Sequence, residues 1–426
     1  MKILLLGSGA REHALARSLT ADPSVDELLA APGNPGIAQV ATLVALDGGA
    51  EDPDAVLAAA RAHGVDLVVV GPEAPLVAGV ADGLVAAGIP CFGPVAAAAR
   101  LEGSKAFAKE VMAAADVPTA VARVCSTQDE VAAALDELGA PHVVKDDGLA
   151  AGKGVVVTTD RDDALDHARA CLAKPDGRVV VEEFLDGPEV SLFCLCDGTS
   201  VVPLQPAQDF KRVGDGDSGP NTGGMGAYSP LDWAPQGLVD DVVARIAQPV
   251  VDEMARRGTP FTGVLYVGLA LTARGPRVIE FNARFGDPET QVVLARLETP
   301  LAGVLHAAAT GALGALPPLR WSPDAAVTVV VASEGYPAAP ATGRPISGVP
   351  ADEPDAWVLH AGTRSDDGGL VASGGRVLSV VGTGAELATA RQRAYSVVDR
   401  IDLPGGHHRT DIAQRAAEGS IEIPAD

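Results

Sequence analysis

A chain of 426 residues, 47% hydrophobic and 21% charged, is long enough for two to four packed units and too apolar to stay disordered. Its net charge of −24 excludes general affinity for nucleic acid or an anionic membrane surface, so a phosphate-bearing ligand must be met by a local cluster of Lys and Arg. No apolar run reaches a membrane span, MKILLLGSGAREH is too short in its apolar part for a secretory leader, and the five cysteines form no Cys-x-x-Cys pair, so a reduced, cytoplasmic protein is expected.

Residues 1–101 alternate short apolar strands, KILLLG, ELLAAP, TLVAL, DLVVVG and IPCFG, with Ala-rich segments such as AREHALARSLTAD. That is the pattern of a doubly wound α/β domain on a parallel sheet. From residue 102 to 324 the pattern changes. A helix on SKAFAKEVMAAAD ends before Pro118, and strands are expected at 121–124, 142–145, 154–158, 178–184 and 189–196, with helices near 127–138 and 160–172. Residues 120–190 thus read as a small α+β unit set inside a larger one. The stretch QDFKRVGDGDSGPNTGGMGAYSP, 208–230, reads as a long loop, and loops of that length are functional or disordered. A helix over 235–256 carries Leu238, Val242, Ile246, Val250 and Met254 on one stripe, and the strands TGVLYVGLALT and RVIEFNARF follow. LPPLRWSPD marks a joint near 316–324. The remainder, 325–426, reads as an α+β domain with strands at 326–333, 356–360 and 376–382 and a closing helix bearing Leu387, Ala394, Val397 and Ile401.

Four stretches carry chemistry. GSGAREH follows a strand and opens a helix, but a nicotinamide or flavin site needs a small residue where Glu12 stands and an acid at the tip of the second strand, and neither is present. Gly9 and Arg11 are read either as a phosphate contact at a helix N-terminus or as parts of a tight βα turn. KDDGLAAGKGV is not a P-loop, because Gly148 and Gly152 stand too close, Gly154 replaces the metal-binding hydroxyl, and a β-branched strand follows. In VIEFN, a period of two puts Glu280 and Asn282 on one face and Ile279 and Phe281 on the other. Two oxygen ligands about 7 Å apart suit magnesium ions that keep waters and share a nucleotide's phosphates. Arg284 continues that face toward a phosphate or developing negative charge, and GDPETQ starts a helix with Asp287 as N-cap and Pro288 at N1. An exposed edge with ordinary polar residues is the alternative for this strand. VVVEEFLDGPEVS looks like a hinge whose backbone reads an adenine edge while Glu189 takes ribose hydroxyls; surface acids on an exposed strand are its alternative.

One compositional feature sharpens this reading. Only seven of the basic residues are lysines, Lys2, Lys105, Lys109, Lys145, Lys153, Lys174 and Lys211, so a lysine marks a place where a compact, flexible ammonium is useful, with chance remaining the reading for Lys2, Lys109 and Lys174. Lys105 and Lys145, a glycine run beside Lys145, and Glu280 with Asn282 make a set able to bind ATP between two lobes without a P-loop.

With those residues assembled, the chain resembles the ATP-grasp superfamily and, within it, the phosphoribosylamine–glycine ligase (glycinamide ribonucleotide synthetase) family. The resemblance runs over essentially the whole length, through GSGAREHAL, APGNPG, GSKAFAK, KDDGLAAGKGV, VEEFLDGPEVS, GDGDSGPNTGGMGA, EFNARFGDPETQ and the late HAGT and SGGRVL. It implies a central two-lobed ATP-grasp domain with its lid at about 120–190, and ligation of glycine to 5-phosphoribosylamine through glycyl phosphate, giving glycinamide ribonucleotide, ADP and phosphate. By resemblance, Lys105 and Lys145 contact the ATP phosphates, the run from Gly148 through Gly152, Lys153 and Gly154 covers them, Glu182, Glu183 and Leu185 hold adenine, and Glu189 holds ribose. Glu280 and Asn282 bind Mg²⁺ or Mn²⁺. Arg284, Asp287 and Lys211 serve catalysis; Asp209, Arg212, Gly223, Gly224 and Gly226 line the acceptor side; Gly9 and Arg11 meet the ribose phosphate. A monomer is expected, with no nucleic-acid or membrane partner. Ser8 and Ala10 depart from the family's first turn, which keeps its shape only if Ala10 avoids positive φ. Asp146 adds an acid beside Lys145, with its side chain expected to point the other way. Another ATP-grasp carboxylate–amine ligase would lack GDGDSGPNTGGMGA, and a non-catalytic nucleotide-binding module would lack the lysines or metal ligands.

Overall fold

The computed structural model describes residues 1–148 and 154–425. The N-terminal strands Lys2–Gly7, Glu27–Pro32, Thr42–Leu43, Leu67–Val70 and Cys91–Phe92 pair in parallel, with the first strand at the centre between the second and fourth. The three central strands, Lys2–Gly7, Glu27–Pro32 and Leu67–Val70, are near-continuous buried runs of Leu, Val and Ala, as strands covered on both faces are, whereas Thr42–Leu43 at the edge is exposed. The order reverses at the first strand, so a crevice opens beyond its carboxyl end and that of Leu67–Val70.

Two further sheets form the lobes of the central unit. The outer one runs, in spatial order, Ala122–Cys125, Val179–Glu182, His142–Asp146 and Val155–Thr158, all antiparallel. Helices Gln128–Leu138 and Arg161–Leu172 pack on it around a small core of its own, including Val131, Leu135, Val144 and Ala168. The inner sheet carries Val201–Pro203, Glu189–Asp197, Thr262–Thr272 and Gly275–Asn282. Its apolar residues merge with those of the N-terminal and C-terminal units. Phe285 illustrates this, stacking on Phe92 of the first sheet at 5.8 Å and meeting Phe193 of the inner sheet edge-on at 5.4 Å.

The structure corrects three expectations. Residues 208–230 are not a structureless loop: Arg212–Gly214 and Ser218–Asn221 form a hairpin, while Gln208–Asp209 and Gly226–Ser229 enter the C-terminal sheet beside Ala325–Ala332. Arg376–Gly384 and Ala356–His360 complete that sheet. The helix of 235–256 is α-helical at Leu238–Val242 and Gln248–Arg256 and widens to a π turn at Val243–Ala247. Pro249 causes the break because it has no N–H to return to the preceding turn; the apolar stripe is buried regardless. Third, Asp287 does not cap the next helix, which begins at Glu289 with Pro288 before it. No helix of the described residues is long and apolar enough to cross a membrane, and all five cysteines are free and buried.

Candidate active site

The two lobes and the C-terminal unit enclose a cavity of about 1060 Å³. Its floor is the strand Gly275–Asn282. Register slips at Ile279, which bulges out of the ladder between Val278 and Glu280. That bulge frees the Ile279 carbonyl to accept from Lys145 Nζ at 2.9 Å. Beyond it, the Glu280 carboxylate and Asn282 amide face the cavity, and neither side chain hydrogen-bonds a described residue. Burial opposes the Glu280 charge, but Lys211, Lys145, Lys105 and Arg284 together outweigh it, so its pKa lies below the ordinary value and it is ionised at neutral pH.

The outer lobe supplies cations. Lys145, almost wholly buried, pairs with the Glu182 carboxylate at 2.9 Å. Lys109 reaches the other oxygen of Glu182 at 3.1 Å, and its pKa is lowered by burial with Lys145 alongside, Glu182 opposing. Chance was the reading for Lys109; its position one helical turn after Lys105 was the available signal. Lys105 Nζ donates to the Gly148 carbonyl at 3.0 Å, while Asp146 N–H and His167 hold the Gly154 carbonyl at 2.7 and 3.2 Å. The described ends of the glycine run are thus both anchored; Gly152 and Lys153 lie outside the described residues. Asp146 turns to Lys174 and Asp147 to Arg178, away from Lys145 as expected.

At the hinge, Glu183 accepts from Val121 N–H at 3.0 Å and pairs with Arg274 at 3.1 Å, and Leu185 lines the cavity. Gly187 makes the turn with φ of +104°. Glu189, half-exposed, pairs with Lys211. Burial and then the charges of Glu289, Glu189 and Glu280 push Asp209 up to about 7, with Lys211 pulling the other way. Glu289 was not singled out by sequence; it accepts from Tyr266 Oη at 2.8 Å and Ser191 Oγ at 3.3 Å, and so fixes the start of the helix that Asp287 was expected to cap.

Toward the N-terminal unit, Arg284 is tied by Glu73 at 3.2 Å and Glu102 at 3.1 Å, both missed by sequence reading. Arg11 lines the same wall and donates to the Phe285 carbonyl at 2.9 Å and to Glu12 at 2.6 Å. Gly9 lies behind the wall, and its N–H is taken by the Glu12 carboxylate at 2.6 Å. Ala10 simply begins the helix Ala10–Thr20, with no positive φ. Arg212 and Gly223 line the cavity, whereas Gly224 and Gly226 are buried behind its wall. Gly224 has φ of +110°, and a Cβ on Gly226 would lie 2.7 Å from the Thr328 carbonyl oxygen, so both serve the loop's shape. Asp287 is held by Gln291 at 2.7 Å and by Arg376 of the C-terminal sheet at 3.0 Å.

Comparison with known proteins agrees with this geometry along the chain. Residues 1–102 match the N domain of phosphoribosylglycinamide synthetase, 103–290 its ATP-grasp (A) domain and 326–415 its C domain. The protein belongs to the phosphoribosylglycinamide synthetase family. A phosphoribosylamine–glycine ligase from Streptomyces coelicolor is 66% identical over 98% of this chain and all of its own length, and one from Mycobacterium bovis is 58% identical over 99% of this chain and all of its own. A crystal structure of phosphoribosylamine–glycine ligase from Thermotoga maritima superposes with a TM-score of 0.84 at 32% identity, covering 97% of this chain and all of that one. A biotin carboxylase domain from Hydrogenobacter thermophilus, TM-score 0.72 at 16% identity over 96% of this chain and 91% of its own, shares the fold. Family membership makes the chain an ATP-grasp ligase of purine biosynthesis.

Proposed function

We propose that the central cavity joins glycine to 5-phosphoribosylamine with ATP as the driving substrate, and that its residues divide as follows. The observation that carries this division is that the unengaged oxygen ligands Glu280 and Asn282 share one cavity with two lysines, the buried Lys145 and the partly buried Lys105. Adenine would lie at the hinge by Glu182, Glu183 and Leu185, and ribose near Glu189 once Lys211 releases it. Lys105, Lys145 and the ends of the glycine run, Gly148 and Gly154, would neutralise the phosphates. Among the described residues no three His, Cys, Asp or Glu side chains gather as a metal cluster. Two ligands suffice for Mg²⁺ or Mn²⁺ that also binds substrate phosphates, and the ionised Glu280 beside Asn282 fits that demand. When bound, such an ion neutralises charge on the transferring phosphoryl group.

The glycine carboxylate oxygen attacks the γ-phosphorus; the bond from that phosphorus to the β-bridging oxygen breaks and ADP leaves. The amine of phosphoribosylamine then attacks the acyl carbon, forming the amide and expelling phosphate. Arg284, held between Glu73 and Glu102, and Asp287 would orient glycine and the acyl phosphate, while Asp209, Lys211, Arg212 and Gly223 face the acceptor, with Arg11 toward its phosphate. An acyl phosphate hydrolyses in water, so the enclosure matters as much as the charges. The division into 1–101, 102–324 and 325–426 belongs to this reading, as do a monomer and a cytoplasmic location; strands from 208–229 lend themselves to the last unit's sheet.

The test is ADP release with MgATP, glycine and freshly generated phosphoribosylamine, each omitted in turn. Turnover requiring all three is expected. ATP binding without glycine-dependent turnover would point to a different pair of substrates.

A further inference from the structure

SGGRVL, in the C-terminal sheet, carries a residue that no role above absorbs. Arg376 Nη1 donates to the carbonyls of Gly223 at 2.5 Å, Asp287 at 2.7 Å and Gly224 at 3.4 Å, and Nη2 donates to the Asp287 carboxylate at 3.0 Å. On the opposite side, the Gly223 N–H donates to Tyr336 Oη at 3.0 Å. Both polar groups of Gly223 are therefore captured by the C-terminal unit. The glycines around this contact are there for space. A Cβ on Gly223 would stand 3.0 Å from the guanidinium carbon, and one on Gly375 would meet the Tyr336 ring at 2.3 Å. Gly223, Asp287, Tyr336 and Arg376 all reach the cavity wall.

We infer that Arg376 is a positioning residue that clamps the acceptor-side glycine loop to the Asp287 turn, so that the C-terminal unit sets the geometry in which phosphoribosylamine meets the acyl group. The inference rests on the reading that the Gly223 loop lines the acceptor side. The two segments it joins are separated by more than sixty positions in sequence and share no ladder hydrogen bonds, so a group with several fixed donors is needed to hold their register. The planar fork of arginine meets three carbonyls and a carboxylate at once, whereas a lysine ammonium cannot match that spread. Arg376 acts on the reaction only through the groups it holds.

The experiment measures steady-state kinetics and MgATP affinity of the full chain carrying Arg376→Met, Arg376→Lys or Tyr336→Phe. Arg376→Met is expected to lower kcat/KM for phosphoribosylamine about 10²-fold, the cost of misplacing a reacting group by about 1 Å, while MgATP affinity stays within about threefold. Arg376→Lys should restore less than about tenfold of that loss, and Tyr336→Phe should lower the same parameter by a smaller factor. If Arg376→Met does not fold, the other two variants decide. A kcat/KM for phosphoribosylamine within threefold of the parent would overturn the clamp, as would a parallel fall in MgATP affinity. A loss confined to glycine would instead overturn the acceptor-side reading beneath it, provided the parent turns over with all three substrates.

Discussion

Glu12 and Glu280 are two acids at the ends of structural elements facing interior space, and their surroundings are opposite. Glu12 fills the N-terminal crevice: its oxygens take the Gly9 N–H and the Arg11 guanidinium. Gly7 and Gly71 are glycine because a Cβ would lie 2.5 and 2.2 Å from Glu12 atoms. Glu280 has no such partner and looks into the central cavity among lysines. A carboxylate whose oxygens are used by its own chain holds the fold; one left unengaged in a cationic cavity is free to meet a ligand from outside, as proposed for Glu280. The difference shows why the N-terminal turn carries a dinucleotide-like glycine pattern and yet has no room for a dinucleotide.

The sharpest way to break that contrast is Glu280→Ala. Turnover should fall by about 10³-fold, since a metal contributes several kcal/mol to charge stabilisation, with an unchanged thermal unfolding midpoint. A drop in stability of the same size as that of a Glu12 variant would erase the distinction. Glu12→Ala should do the reverse, lowering the unfolding free energy by about 3 kcal/mol in urea, because it leaves buried Arg11 with a broken pair; a change under about 1 kcal/mol counts against the sealing role. Among the cations, Lys145→Met should weaken MgATP binding by about 10²-fold and Lys109→Met by about tenfold, following the range for hydrogen bonds to charged groups. Equal effects in calorimetric titration would remove the assignment of Lys109 as support for the Glu182–Lys145 pair.

The smallest expected effect concerns the seam between the N-terminal and C-terminal units. His13 Nδ1 accepts from His360 N–H at 2.8 Å, and burial, then His360 and Arg17, lower the His13 pKa to about 3. The unfolded imidazole takes up its proton near the ordinary value of 6.5, and the folded one stays neutral. Its contribution is therefore complete above that pH and is lost as pH falls toward about 3, with a slope of at most about 1.4 kcal/mol per pH unit. Urea unfolding from pH 7 to 5 should show a shallower decline for His13→Asn than for the parent protein. Identical slopes would remove His13 from the acid response.

Local pattern found all five strands of the N-terminal sheet, although of TLVAL only Thr42–Leu43 and of IPCFG only Cys91–Phe92 pair. KILLLG and ELLAAP are strands as read, because fully buried parallel strands announce themselves as unbroken apolar runs. Pattern also located Lys105, Lys145, Glu280 and Asn282, whose residue types are rare enough or regular enough in spacing to stand out. It missed the strands within 208–230, since Gly, Asp and Ser dominate there; the hairpin pairs locally, but Gly226–Ser229 is ordered by Ala325–Ala332, a hundred positions away. Glu73, Glu102, Glu289 and Arg376 were missed for the same reason: in an acidic chain rich in arginine, no local feature marks which charges will meet.

What the sequence alone determined is the family, the order of the units and some of the charged side chains of the cavity, Lys105, Lys145 and Glu280 among them, because these depend on residue identity and short-range periodicity. Tertiary structure alone decided how those charges are used. Folding buried Glu12 against Gly7 and Gly71, set Lys109 behind Glu182, bulged Ile279 so that its carbonyl meets Lys145, and brought Arg376 to Gly223 and Asp287. Each is a contact between distant segments, and its energy exists only after the chain has closed the loop between them.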